Sequence, residues 1–125
     1  MVGLLAIINE ELGENNIPYE FSEWKSTVRY PYFVGSYDEN NSYFEDNRIE
    51  GTFTIDGWSR RSSIELIEKA EQIKEIFSDF QRIRNGNIYY IRFNSSMLVP
   101  TGVEDLNKIT ITLEVTEWKG EINGT

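Results

Sequence analysis

The side chains that could do chemistry in this sequence are carboxylates, arginines and hydroxyls, because the chain contains neither histidine nor cysteine. Histidine is the commonest general base and metal ligand near neutral pH, and cysteine supplies thiolate nucleophiles and many structural zinc sites. The acid–base chemistry that remains would need paired carboxylates. Asp56 could meet Glu50 or Glu114 if outward-facing positions of neighbouring strands lie side by side. Such pairs are usually solvated, so the sequence predicts no enzyme and no catalytic residue.

A second candidate is the segment Asp56–Ser59, which places an acid and a hydroxyl just before a predicted helix. Catalytic turns can have this form, but no basic partner accompanies the two groups. The glycine spacing also differs from that of a nucleophile elbow or a phosphate-binding loop. We therefore expect Ser59 to be part of a turn.

The segment from Asp38 to Asn47 is acidic and without periodicity, which predicts a loop or a hairpin tip. Its alternating oxygen-bearing residues suggest a calcium loop. However, Tyr43 stands where such a loop needs glycine, and Ile49 where it needs a bidentate carboxylate. The sequence thus predicts no metal and no cofactor. The carboxylates of the segment are predicted to contact a partner instead: Asp38, Glu39, Glu45 and Asp46.

Arg60 and Arg61 directly precede a predicted helix. The helix macrodipole disfavours a cation at that place by about 0.3–1 kcal/mol. The two arginines are either exposed and tolerated there, or they meet acidic groups on another subunit. The acidic segment is the obvious complement, and a contact between two different surfaces is heterologous and can close a ring.

The charge of the whole chain limits its partners. Arg82, Arg84 and Arg92 alternate with aromatic residues, as on some nucleic-acid surfaces. The net charge is −9 and the isoelectric point is near 4.5, which argues against phosphate backbones and anionic lipids. Ordinary alternation on a strand is the better interpretation, and no apolar run approaches the roughly 20 residues that span a bilayer. We expect no sequence-specific nucleic-acid binding and no membrane association.

The periodicity of the chain predicts the elements that carry these residues. Apolar residues from Val2 to Leu12 recur at helical spacing, and alternation predicts strands at 48–58 and 108–118. A longer helix is predicted from Ser62 to about Asp79, followed by a hairpin at Asn85-Gly86, a strand at 87–93 and an irregular connection at 95–107. The predicted class is α+β: an antiparallel or mixed sheet with a long helix and a short N-terminal helix on one face. Residues 1–118 would form one domain and 119–125 a flexible C-terminal tail.

Short motifs in this order resemble those of a known family. They are Ile17-Pro18-Tyr19, then Tyr30-Pro31-Tyr32-Phe33-Val34, and then the strand Phe53–Ser59 ending in Trp58-Ser59. Together with the order of elements, they make the chain similar to small tail-terminator or tail-completion proteins of long-tailed bacteriophages and prophages. The similarity extends from about Val2 to Trp118.

The resemblance implies a structural protein that caps the tail tube as a ring of six copies. It would end tail growth and offer a surface to the head–tail connector protein, first in the cytoplasm of the host bacterium and then in the virion tail. The family has no catalytic residues. A different interpretation from the same residues is a small cytosolic adaptor or immunity-type protein that binds a basic partner through Asp38–Asp46.

Overall fold

The computed structural model describes residues 2–40 and 48–120. Within them the chain forms two helices and six strands. The helices are α1 (Val2–Glu14) and α2 (Ile64–Ile76). The strands are β1 (Tyr19–Phe21), β2 (Tyr32–Glu39), β3 (Arg48–Arg60), β4 (Phe80–Arg84), β5 (Asn87–Val99) and β6 (Leu106–Trp118). The α+β class is confirmed, but both helices have 13 residues, so the expected contrast between a short and a long helix is not observed.

The strands form one mixed sheet in the order β1-β2-β3-β6-β5-β4. β1 runs parallel to β2, and the other neighbouring pairs are antiparallel. The longest pairing joins β3 to β6 from Arg48↔Trp118 to Arg60↔Leu106. The last strand of the described chain therefore lies in the middle of the sheet.

The predicted alternation of β3 and β6 is confirmed. Phe53 and Ile55 of β3 and Ile111 and Leu113 of β6 are fully buried on one face, where both helices contribute to a single hydrophobic core. From α1 the core receives Leu4, Ile7, Ile8 and Leu12, and from α2 it receives Leu66, Ala70 and Ile73. Each helix buries one apolar stripe at a spacing of three or four residues, as an amphipathic helix on a sheet does.

Even-numbered residues of β3 and β6 lie on the opposite face of the sheet, which we call the open face. It is rich in threonine, and its central residues are partly buried rather than covered by a helix: Thr52, Thr54, Thr110 and Thr112. β-Branched residues fit a pleated and half-exposed surface of this kind. No helix of the described residues is long and apolar enough to cross a membrane.

Several boundaries differ from the prediction. β2 continues through Asp38 and Glu39, which the sequence assigns to a loop, because their backbones pair with Thr52 and Gly51 of β3. α2 ends at Ile76 with Phe77 as its C-cap, before the predicted end near Asp79. β5 continues to Val99 into the segment expected to be an irregular connection, since it keeps its partner β6.

Candidate functional site

The carboxylates proposed as an acid–base pair are not brought together. Asp56 lies opposite Thr110, whose hydroxyl donates a hydrogen bond to its carboxylate over 2.6 Å. Glu114 is four positions further along β6, about 13 Å away at strand spacing. It accepts a hydrogen bond from Arg92 over 3.1 Å instead. Among the described residues there is also no group of acidic side chains that could hold a metal ion.

Ser59 is predicted from the sequence to be part of a turn, but it is the penultimate residue of β3, because that strand keeps its pairing with β6 as far as Arg60; Ser59 is buried. Its hydroxyl donates to the carbonyl of Ser62 over 3.1 Å and accepts from the amide of Asn107 over 3.3 Å. These two bonds occupy the hydroxyl in fixing the connection between β3 and α2. Neither hydrogen bond involves a basic group that could activate the Ser59 hydroxyl as a nucleophile.

The described carboxylates of the acidic segment are Asp38 and Glu39 at the end of β2, which we call the acidic end. Both side chains are exposed. The other two predicted contact residues, Glu45 and Asp46, lie outside the described residues. The acidic end thus presents two carboxylates on a strand whose backbone position is fixed by β3.

Arg60 is the last ladder position of β3 and Arg61 follows it; the two residues, which we call the arginine corner, are exposed. The Arg60 guanidinium carbon lies 5.4 Å from the centre of the Tyr30 ring, within the range of a cation–π contact. Arg61 has a positive φ of 65°, and its N–H donates to the carbonyl of Asp105 over 2.8 Å. The backbone bond holds the corner in place and leaves both arginines at the surface.

The arginine corner and the acidic end lie at opposite ends of the same strands. Asp38 pairs with Thr52, and Arg60 is eight positions further along β3, a separation of about 27 Å. A contact between the two charged groups therefore requires a second molecule. The contact itself stays a prediction.

Aromatic residues cover the open face next to the arginine corner. The Tyr32 ring stacks on Trp58 at 5.2 Å and meets Trp24 at 5.0 Å. The Lys108 ammonium lies 5.5 Å from the centre of the Trp58 ring. Aromatic surface with cations at its edge is common in protein–protein contacts.

Two of the three arginines near the hairpin bind α1. Arg82 and Arg84 of β4 each lie 3.0 Å from a carboxylate of α1, on Glu11 and Glu10 respectively. These pairs hold the helix against the outer strand. Arg92 differs, because its pair with Glu114 is half exposed on both sides and lies on the open face.

The two outer regions of the sheet are only partly covered by their edge strands. β4 pairs with Asn87–Ile91, so within the described chain the rest of β5 pairs on one side only. β1 pairs with Phe33–Gly35 of β2, and the Ser22 N–H bonds the Gly35 carbonyl, so that among residues 2–40 and 48–120 the segment Ser36–Glu39 pairs only with β3. Unpaired backbone groups at a sheet edge are a template for another strand.

The uncovered part of β5 is also exposed on both of its faces. Consecutive exposed residues extend from Asn94 to Leu98, and the side chains of Met97 and Leu98 are 62% and 50% exposed. This part of the strand could not be predicted from the sequence, because Asn94-Ser95-Ser96 has neither alternation nor β-branched residues. Only its pairing with β6 makes it a strand.

Burial raises the pKa of Tyr37 on β2 to about 12, with smaller contributions from the nearby charges of Glu39 and Glu117. Burial also raises the pKa of Tyr19, whose hydroxyl has no hydrogen-bond partner among the described residues. Both tyrosines lie beside glycines of neighbouring strands, Gly51 and Gly35. They are neutral groups packed at the β2 side of the sheet.

We expect alkali to destabilise the protein because of these tyrosines. The pKa of Tyr37 is higher in the folded state than its ordinary value of 10.0. Its contribution to stability is therefore fully present below pH 10 and is lost as the pH rises through about 12. Urea unfolding between pH 8 and 12 should show this loss, and Tyr37→Phe should make the alkaline loss smaller. An unchanged pH dependence in Tyr37→Phe and in Tyr19→Phe would show that neither phenol is responsible.

No protein-family model matches the chain, and no curated protein matches it either. A function is therefore proposed from the surfaces described above.

Proposed function

We propose that this protein is a structural assembly protein of the tail-terminator kind, which forms a ring of six copies on the end of a phage tail tube. In this role it stops tail growth and offers a surface to the head–tail connector protein. It would act in the cytoplasm of the host bacterium during assembly and remain in the virion tail.

The observation that carries the proposal concerns β2 and β5, the strands next to the two edge strands. Each is only partly covered by its edge strand, and the two strands are antiparallel to each other. β2 is antiparallel to β3, β3 to β6, and β6 to β5, so β2 and β5 are antiparallel. Two copies in the same orientation can therefore place β5 of one beside β2 of the next. Repeating such a heterologous contact builds a ring when the rotation closes.

Two further features support a structural role. The open face offers hydroxyl, aromatic and charged groups to a neighbouring protein, with Tyr32, Trp58 and Lys108 at one end. The hydroxyl and carboxyl groups that the sequence suggested for catalysis, on Ser59, Asp56 and Glu114, are each engaged in structural hydrogen bonds.

Assembly state tests the proposal. Native mass spectrometry and electron microscopy of the concentrated protein, alone and mixed with a tail-tube protein, should show rings or capped tubes. The adaptor interpretation, which the exposed Asp38 and Glu39 keep open, predicts a tight one-to-one complex with a basic protein instead. A protein that neither associates with itself nor caps tubes would refute the ring.

The arginine corner offers a different contact for the acidic segment of a neighbour. Arg60→Glu combined with Arg61→Glu reverses both charges on an exposed surface, so the fold should remain intact. Loss of the rings in this variant would show that the acidic segment of one subunit contacts the arginine corner of its neighbour, as the sequence predicts. Rings retained would leave the sheet edges as the contact.

A further inference from the structure

We propose that neighbouring subunits join by a strand pairing in which Ser95–Val99 of β5 lies antiparallel to Ser36–Glu39 of β2 in the next copy. The inference rests on the proposed ring and specifies the contact that builds it. It makes the sheets of adjacent subunits continuous.

The uncovered part of β5 lacks the usual protection of an edge strand. Native edges are commonly blocked by charged side chains, especially lysine, or by proline. From Phe93 to Val99 this strand carries no charge, and Pro100 follows only after its end. A bulge between Phe93 and Ser95 interrupts the ladder, so five regular positions remain, Ser95–Val99. Such a segment can accept another strand by backbone hydrogen bonding.

The uncovered part of β2 matches this segment in length and direction. Ser36–Glu39 supplies four positions, and β2 is antiparallel to β5 when the subunits share one orientation. Pairing the two segments covers both half-open edges of every subunit. A pairing of β5 with β5 of a second copy would leave the β2 edge uncovered.

Charge supports the same partner. In an antiparallel pairing the C-terminal end of β2 lies next to the beginning of the uncovered part of β5. The acidic end, Asp38 and Glu39, is thereby directed toward Arg92, which lies three to four ladder positions further along, about 10–13 Å, and is half exposed beside Glu114. A self-pairing of β5 would instead direct Arg92 toward the uncharged end at Val99 and Pro100.

The alternation of side chains fixes which residues are neighbours. Asp38 lies on the open face opposite Thr52, and Met97 lies on the open face opposite Thr110. If the open face continues from one subunit to the next, Ser36 opposite Val99 places Asp38 directly opposite Met97. Cross-strand neighbours have Cβ atoms about 4.5–5.5 Å apart.

Engineered cysteines test this register, because the chain has no cysteine of its own. Within one molecule, Asp38 and Met97 are separated by three strand spacings, about 14 Å, and by four ladder positions along the strands, about 13 Å, which is too far for a disulfide. Under mild oxidation, Asp38→Cys with Met97→Cys should therefore give a ladder of covalent oligomers on a denaturing gel. The matched control, Asp38→Cys with Ile64→Cys on exposed α2, should give no ladder.

Charge at position 97 gives an independent readout of the partner. Met97→Glu places a carboxylate beside Asp38 and should weaken each contact by up to about fivefold, an effect that multiplies around a ring. Met97→Lys should keep or strengthen the rings, and Met97→Glu with Asp38→Lys should restore them. Ile64→Glu and Ile64→Lys are the matched controls for surface charge, and circular dichroism checks the fold.

The results of these experiments distinguish failure of the strand pairing from failure of the proposed ring. Rings that form in Met97→Glu, without a ladder from the cysteine pair, would overturn the strand pairing and keep the proposed function. Rings lost in both Met97→Glu and Met97→Lys, with dimers from Met97→Cys alone, would show that β5 pairs with itself and would also overturn it. A wild-type protein that stays monomeric with and without tube protein would overturn both proposals.

Discussion

Replacing Phe53 with alanine is expected to lower the free energy of unfolding by about 3–5 kcal/mol, the range for removing a buried aromatic side chain. Phe53 is fully buried on central strand β3, and its ring centre lies 6.1 Å from that of Phe21 and 6.3 Å from that of Tyr37. The substitution removes apolar burial and opens a cavity between the sheet and the helices. A domain of this size is stable by about 5–15 kcal/mol, so the loss is a large fraction of the total.

Urea unfolding at neutral pH measures this effect. Phe53→Leu keeps most of the volume and should cost less than about 1.5 kcal/mol. Ile83→Ala is the control, because that side chain is 72% exposed on β4 and its removal should change stability by about 0.5 kcal/mol or less. Equal losses in Phe53→Ala and Ile83→Ala would be inconsistent with the described core.

Gly57→Ala is expected to destabilise the fold by about 1–3 kcal/mol, the usual cost of overpacking a core. Gly57 lies opposite Phe33 of β2, and a methyl group there would run into the Phe33 ring and lie against Leu66 of α2. Both neighbours are fully buried, so neither can move aside into solvent. Thermal unfolding monitored by circular dichroism measures the loss.

Substitution of a second glycine is a control, because it is expected to change stability in the opposite direction. Gly13 lies in α1 with open space around its α-carbon, so Gly13→Ala should raise stability by up to about 1 kcal/mol through better helix propensity. Phe33→Leu should relieve part of the cost of Gly57→Ala in the double variant, because it removes the ring from the contact. Additive effects of these two changes would argue against a direct contact between positions 33 and 57.

Strong alternation made β3 and β6 predictable from the sequence. Burial on one face demands apolar residues at every second position, and Phe53, Ile55, Ile111 and Leu113 satisfy that demand. β5 beyond Phe93 was missed because neither of its faces is buried there, so no pattern is imposed on its side chains. Its existence depends on backbone bonds to β6, which sequence periodicity does not record.

The candidate site was predictable only in part, for a related reason. Asp38, Glu39, Arg60 and Arg61 could be selected by charge, and the described residues place all four at the surface. Their separation along the sheet depends on strand register, which a single sequence does not specify. The sequence assigns Arg92 to ordinary alternation, and only the structure shows that it borders an uncovered edge, because β4 begins at Phe80, opposite Ile91.

The central position of β6 has a consequence for synthesis on the ribosome. β3 has one sheet neighbour close in sequence, β2, while its other neighbour begins only at Leu106. The pairs Arg48↔Trp118 and Ile55↔Ile111 join residues far apart in the chain, which is typical of slow-folding topologies. A nascent chain that has not yet exposed β6 therefore holds two separate pieces of sheet with apolar faces and unpaired edges. Such a chain is exposed to aggregation until the last strand is inserted between them.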